Sequence, residues 1–313
     1  LQQGALLPTI PTMHVKHHWH ALWARCGYPA CMVFAMSGAV LALNAGIHPL
    51  VIYGVVSGLT LLFVWFGEYT RPFERRWYPT WRENYGPDTT LFILNNVLLQ
   101  SPTMQLLIAG VAISLAGGGF DVWPHHWPLW IQVPAGLVIA EFGSYWWHRA
   151  THEVPLLWKF HELHHSPRRL YWLNATRFHY VDVTLLQVCA VTPLLLLGAG
   201  EVVVLFVTLF SIFHGYWQHG NTEQDLGPLN FIFSNAELHR WHHNERPSLS
   251  NNNYGSNLIV WDLVFRTFLW PERGYGAKAG ATITSIGVDD KTYPGKLGQQ
   301  LLFPFRRNVR SGN

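Results

Sequence analysis

Long stretches of the chain carry no Asp, Glu, Lys or Arg, and they alternate with shorter segments in which these residues are concentrated. The charge-free stretches are residues 27–67, 89–120, 122–140, 183–200 and 202–222. About 20 consecutive apolar residues span a hydrocarbon core of about 30 Å. The pattern therefore predicts an all-α integral membrane protein. Four membrane-spanning helices are expected at residues 28–45, 50–67, 91–114 and 128–147, followed by a shorter helical hairpin at 183–199 and 202–217 that crosses fully or only partway.

The basic residues predict how these helices are oriented. Residues 68–88 carry four arginines and residues 148–182 carry four arginines and one lysine, whereas the turns at 46–49 and 115–127 carry none. Since Lys and Arg are enriched in cytoplasmic segments, both basic segments are expected on the cytoplasmic side. We expect a single domain, residues 1–313, with a cytoplasmic helical cap. The cap would comprise about residues 68–90, 148–182 and 219–313.

Composition supports the membrane assignment and excludes several other classes. The chain is 49% hydrophobic and only 12% charged, whereas a soluble domain is roughly 25% charged. Its 16 Trp and 12 Tyr suit the aromatic belts found at bilayer interfaces. The net charge of +3 is too small to indicate nucleic-acid binding. The three cysteines form no C-x-x-C pair, so iron–sulfur clusters and thiolate zinc sites are not expected.

Histidines are concentrated in residues 148–243, where three short motifs repeat a helical spacing. The motifs are His148-x3-His152, His161-x2-His164-His165 and His239-x2-His242-His243. Residues three and four apart share a helix face, and neutral imidazole is the commonest metal ligand in proteins. Eight histidines exceed a single tetrahedral site and fit two metal ions. Iron, copper, zinc and nickel all accept imidazole, so the ligands alone leave the metal open.

Further residues near these motifs are candidates for the same site. His219, which follows the predicted hairpin, is the expected ninth ligand. His179, which precedes the hairpin, is a possible ligand or a residue that supports one, although a lone interfacial histidine often only packs at the interface. Acidic residues could hold a ligand by its second ring nitrogen, and the candidates are Glu153, Glu162, Asp182 and Glu237.

An apolar cavity is expected to join the metal site to the hydrocarbon core, with walls from the inner ends of the spans at 128–147, 183–199 and 202–217. Aromatic residues at these ends are the candidate lining: Trp146, Trp147, Phe213 and Trp217. The alternative is that they belong to the interfacial aromatic belt.

The three motifs together resemble those of the fatty acid hydroxylase / sterol desaturase superfamily, a group of integral membrane di-metal oxygenases. The likeness covers about residues 50–306. "FHYVD" (178–182) resembles the family's F-H-P-x-D/E stretch, with Tyr180 in place of Pro, and "HGN" (219–221) resembles its H-x-N segment, which adds Asn221 as a possible ligand or supporting residue. The flanks of the last motif and "QQLLFPF" (299–305) resemble bacterial members, although Arg266 stands where many members have Gly.

This resemblance implies a fold and a chemistry. The family fold is a bundle of membrane helices under a cytoplasmic cap that holds the metals. The implied reaction is hydroxylation of a lipid C–H bond by two iron ions with O2 as co-substrate, and zinc can replace iron in purified members. No catalytic residues are expected beyond the metal ligands. The chain shows no haem-binding or flavin-binding motif, so we expect a separate electron-donor protein of the ferredoxin or cytochrome type. The membrane is expected to be a bacterial inner membrane.

Several alternatives stay open from the sequence. The same site could desaturate its lipid, and a distant alternative is a zinc-dependent membrane hydrolase, which would need an open metal position and a general base. A metal transporter would need ionisable residues within the spans, and the charge-free spans argue against it. The lipid could be a sterol, a fatty acyl chain, a carotenoid or an aminolipid.

Overall fold

The computed structural model describes residues 13–99, 118–276 and 292–306, together with positions 107, 110, 111, 114, 283, 285–288 and 290. Within these residues all regular structure is helical, and β-pairing is limited to isolated bridges such as Pro72 with Thr222. The predicted all-helical fold is confirmed for this part of the chain.

Helices α1 (Met13–Asn44) and α2 (Pro49–Thr70) form the first pair. The predicted turn lies between them: Gly46 has a φ of +76°, and the His48 ring accepts a hydrogen bond from the Leu50 amide at 3.2 Å. Pro49 suits the first position of α2, where no backbone N–H is needed. Helix α1 begins well before the predicted span and continues through Gly27 and Pro29 without ending.

Only the start of the predicted span at 91–114 lies among the described residues. Helix α3 (Gly86–Leu91) is flanked by wider π-helical turns at Trp81–Tyr85 and Phe92–Leu99. The buried Asn95 side chain donates hydrogen bonds to the carbonyls of Thr176 and Phe178 at 2.9 and 2.8 Å. This contact ties the segment to the chain that follows the second histidine motif. Most of residues 100–117 lie outside the description.

Four helices build the centre of the molecule: α4 (Leu129–Glu153), α5 (Pro155–His165), α6 (Tyr180–Leu196) and α7 (Glu201–His219). Helices α4 and α6 touch at Gly143, where an added Cβ would lie 1.9 Å from the carbonyl oxygen of Cys189. Helix α7 is central because its buried residues belong to four core clusters, represented by Val207, Phe213, Phe206 and Val204.

Among the residues that the structure describes, three helices are long and apolar enough to cross a membrane: His20–Asn44, Pro49–Thr70 and Glu201–His219. This result extends one expectation and leaves another as a prediction. The segment predicted as a short helix at 202–217 extends to 19 residues, which is about 28 Å at 1.5 Å per residue. The span predicted at 128–147 is not among these candidates, since its apolar pattern is interrupted by the buried Gln132 and Glu141. Helix α6, with 17 residues, is apolar but shorter.

The remaining helices are short and follow α7: α8 (Ala236–His242), α9 (Pro247–Ser250), α10 (Val260–Phe265) and α11 (Leu297–Leu302). Buried carboxylates fasten these segments to the long helices. Glu68, at the end of α2, accepts hydrogen bonds from the amides of Trp172 and Asn221 at 2.7 and 2.9 Å. Glu141 accepts from the Asn257 amide at 2.9 Å. The short segments are thus held in fixed positions against the ends of the long helices.

Candidate metal centre

Nine buried histidines gather into two adjoining clusters, each with its ligand atoms within 4.8 Å of one another. The first cluster consists of His148, His152, His161, His165 and His242. The second cluster consists of His164, His219, His239 and His243. The two are in contact, because the rings of His165 and His243 stack with centroids 4.3 Å apart. The structure therefore brings together all nine histidines that the sequence analysis named as ligand candidates.

The Nε2 atoms face one another within each cluster. In the first cluster, His161 Nε2 lies 3.1 Å from the Nε2 atoms of both His148 and His165. In the second, His239 Nε2 lies 3.0 Å from the Nε2 atoms of both His219 and His243. Several ring nitrogens directed at one point repel one another, whereas a cation at that point can be bound by all of them.

The opposite ring nitrogen, Nδ1, is held by an oxygen acceptor in six of the nine histidines. The pairs are His148 with the Tyr254 carbonyl, His152 with the Asn251 side chain, His161 with Asp182, His164 with the Arg177 carbonyl, His219 with the Gly215 carbonyl and His242 with the Asn252 carbonyl. Because a carbonyl or carboxylate oxygen only accepts, Nδ1 must carry the proton and Nε2 must be unprotonated. Metal-binding histidines are oriented in this way in other proteins.

Asp182 is the one carboxylate among the four candidates that reaches a clustered histidine in the described structure. It accepts from His161 Nδ1 at 2.8 Å and from Trp147 Nε1 at 2.9 Å, and it is 1% exposed. Glu153 is exposed and pairs with Arg149. The other two lie elsewhere: Glu237 accepts from the Leu226 amide, and Glu162 is buried without a hydrogen-bond partner.

The cluster is built to hold neutral imidazole. Burial, and then the repulsion of neighbouring rings, lowers the pKa of His164, His165, His239, His242 and His243 well below 6.5. These rings are therefore neutral at pH 7, the state in which a histidine binds a metal. His242 Nε2 is buried and has no protein partner, as expected of a nitrogen reserved for a metal ion. The donor set fits two metal ions with nitrogen ligands.

Histidines that are adjacent in the sequence belong to different clusters. His164 belongs to the second cluster and His165 to the first, and the same separation holds for His243 and His242. Successive helical residues point about 100° apart, so one H-x2-H-H motif can face two metal positions. Sequence spacing predicted the shared helix faces, but not this division.

Two other predicted residues lie outside both clusters. His179 caps helix α6: its Nδ1 accepts from the Val181 amide at 3.2 Å, and its Nε2 lies 3.1 Å from the Leu301 carbonyl. Its ring is thus occupied by backbone groups and does not face a metal position. Asn221 is paired with the backbone of Glu74, through hydrogen bonds of 2.9 Å in both directions.

Sequence reasoning missed the segment that holds much of the first cluster. Asn251, Asn252 and Tyr254 supply acceptors to three of its five histidines. The run "NNNY" at residues 251–254, directly after the last motif, was the available signal. Asp262 fixes this turn by accepting from the amides of Tyr254 and Gly255 at 2.9 and 2.8 Å.

A cavity of about 130 Å³ adjoins the histidines and runs between helices α4, α6 and α7. Its walls come from the three segments expected, and they include Ser144, Leu186, Val207 and the rings of His161 and His239. Apolar side chains supply most of the surface that lines it.

Three of the four aromatic residues proposed for this cavity do not line it. Trp147 does, but Trp146 is 41% exposed on the outer face of α4. Phe213 and Trp217 pack in the core against Tyr28 instead. The reason is helical phase: Trp146 and Trp217 each stand two residues before a clustered histidine, which turns them about 200° away from it.

Comparison with known proteins shows what this chain is similar to. Residues 133–267 match the fatty acid hydroxylase family. The ornithine lipid hydroxylase OlsE of Rhizobium tropici is 36% identical over 287 residues, which is 90% of this chain and 84% of that protein. Alkylglycerol monooxygenase of Danio rerio is 32% identical over 146 residues, covering 47% of this chain and 31% of that protein. No solved structure gives a significant match.

Proposed function

Since this chain belongs to the fatty acid hydroxylase family, we propose that its two histidine clusters hold two iron ions and that it hydroxylates a C–H bond of a membrane lipid with O2. The observation that carries the proposal is the convergence of nine buried histidines on two adjoining positions. Two adjoining clusters of nitrogen donors would hold the two metals of a bimetallic site.

The metals are needed because no side chain can break an unactivated C–H bond. Iron would supply the oxidant when bound, and the protein would supply position and the exclusion of water. The overall change consumes the lipid C–H, one O2, two electrons and two protons, and it yields a C–OH and one water. The chain's own residues bind through Nε2, hold each ring by Nδ1, and keep the clusters buried.

The two electrons come, in this proposal, from a separate protein of the ferredoxin or cytochrome type. We further propose one domain with four crossings, at 28–45, 50–67, 91–114 and 128–147, and the clusters on the cytoplasmic side of a bacterial inner membrane. The basic residues of 68–88 and 148–182 support this sidedness. Labelling of single cysteines placed at Arg75 and Arg168 checks it, and labelling from opposite sides would refute it.

The relatives suggest which lipids to test first. An ornithine lipid is the leading candidate, because the similarity to the ornithine lipid hydroxylase covers 90% of this chain. An alkylglycerol is the second, with the similarity confined to 47% of this chain.

Lipid mass spectrometry of cells with and without the chain tests the function. Hydroxylation adds 16 mass units to the substrate, whereas desaturation removes 2. Product that forms without O2 and reductant would instead indicate a zinc-dependent hydrolase.

Replacing Asp182 by Asn is expected to lower iron affinity and activity by roughly 10- to 100-fold, because the carboxylate orients His161 and raises its basicity. The same change weakens the anchor of Trp147, which shares this acceptor. Iron titration with activity at saturating iron separates affinity from turnover. Glu153→Gln, which alters an exposed pair with Arg149, is the control, and equal behaviour of the two variants would contradict the assigned role.

Replacing Leu186 by Trp is expected to fill part of the cavity and to move the hydroxylation position or the preferred chain length, with metal content unchanged. Leu186 lines the cavity, whereas its neighbour Leu185 is 37% exposed on the outer face of α6. Leu185→Trp is therefore a matched control and should leave the product unchanged. A normal product from Leu186→Trp would show that the substrate does not enter by this cavity.

A further inference from the structure

Gln187 lies midway along helix α6 and lines the cavity beside the histidine clusters. Its side-chain amide makes no hydrogen bond within the part of the chain that the structure describes. Two other polar residues of the same wall differ from it. Ser144 and Ser211 donate to carbonyls of their own helices, those of Ala140 and Val207, at 3.1 and 2.9 Å. Gln187 therefore brings an amide with unused donors and acceptors to the cavity.

An unused amide is unfavourable in this setting. Helix α6 is apolar and Gln187 is half-buried on it, so its amide loses part of its contact with water and gains no hydrogen-bond partner among the described residues, which is unfavourable. Polar residues in such positions mark functional sites. The helix cannot rotate to place Gln187 elsewhere, since the contact between Gly143 and the Cys189 carbonyl fixes α6 against α4. The amide is thus held towards the cavity.

Its distance from the metal site follows from the helix. Gln187 stands five residues after Asp182, the residue that holds His161, which is about 7.5 Å along the axis. Five residues turn the helix by about 500°, so the two side chains point about 140° apart around the helix axis. Both line the same cavity.

We propose that Gln187 is a specificity-determining residue that hydrogen-bonds a hydroxyl, ester or amide group carried by the lipid substrate. The amide thereby sets which carbon reaches the clusters. This inference rests on the function proposed above.

The test compares iron-loaded wild type, Gln187→Leu, Gln187→Asn and Thr192→Val with an ornithine lipid as the probe. Tandem mass spectrometry measures the amount of hydroxylated product and the position of the new oxygen. Gln187→Leu is expected to form about tenfold less product, with the oxygen spread over neighbouring carbons and an unfolding midpoint equal to or above that of wild type. Gln187→Asn retains the amide and is expected to restore part of the yield.

Thr192→Val is the matched control, because Thr192 is a second residue of α6 with a buried, unpartnered hydroxyl and does not line the cavity. It should behave as wild type. Product of normal amount and position from Gln187→Leu overturns the inference, as does a lowered unfolding midpoint or iron content, which would show a structural role. Absence of product from the wild type, with both the ornithine lipid and an alkylglycerol, counts instead against the proposed function.

Discussion

Replacing His219 by Ala is expected to lower the iron content from about two ions to about one per chain and to reduce hydroxylation by at least roughly 100-fold. His219 is one of only four nitrogen donors in the second cluster, and its Nε2 lies 3.0 and 3.3 Å from those of His239 and His164. Three remaining donors bind a metal more weakly than four. The first cluster has none of its five histidines on this helix, so its ion should remain.

Metal analysis by plasma mass spectrometry and lipid hydroxylation are measured on the same preparations. His126→Ala is the control, because His126 is exposed and belongs to neither cluster. A His219→Ala protein that keeps two ions and full activity would falsify the two-cluster arrangement.

Removing the metals with a chelator is expected to abolish activity and to lower the midpoint of thermal unfolding by about 10 °C. A ligand present at 1,000 times its Kd stabilises the folded state by about 4 kcal/mol, and 1 kcal/mol corresponds to about 2–4 °C in a chain of comparable size. We expect a large loss because the Nε2 atoms of each cluster lie close together in buried positions, where a metal ion compensates their mutual repulsion.

Reconstitution separates structure from chemistry in this experiment. Ferrous iron should restore the midpoint and the activity, whereas zinc should restore the midpoint alone, since zinc has no redox chemistry. An unchanged midpoint after complete chelation would show that the clusters are stable without metal, and activity with zinc would favour a hydrolase.

Much of the fold was predictable because the membrane imposes simple rules on sequence. The pair α1 and α2 was placed correctly by two apolar runs and the break at Gly46 to Pro49. Helix α7 was predicted too short, because the polar residues at its ends, Glu201, Gln218 and His219, were left out of the apolar run. The span at 128–147 stays a prediction, because the buried Gln132 and Glu141 interrupt its apolar pattern.

The histidines could be found from spacing, since helical periodicity alone places them on common faces. Their division into five and four could not, because it depends on how α4, α5, α7 and α8 meet. The helical segments that form the cavity walls were predicted correctly, but three of the four residues chosen on them do not line the cavity. Phe213 and Trp217 were selected because they are aromatic. Counting back three and seven residues from His219, to the same face of the helix, would have indicated Tyr216 and Ile212, which do line the cavity.

The division of the clusters also sets an order of assembly during biosynthesis. Four histidines of the first cluster, from His148 to His165, leave the ribosome before the α6–α7 hairpin, and only His242 follows it. Of the second cluster, only His164 is synthesised before the hairpin. A nascent chain thus contains four of the five histidines of the first cluster before the hairpin is made. The second cluster can form only after the hairpin and the segment that follows it. We therefore expect the second metal position to form only once the hairpin and residues 219–243 are in place.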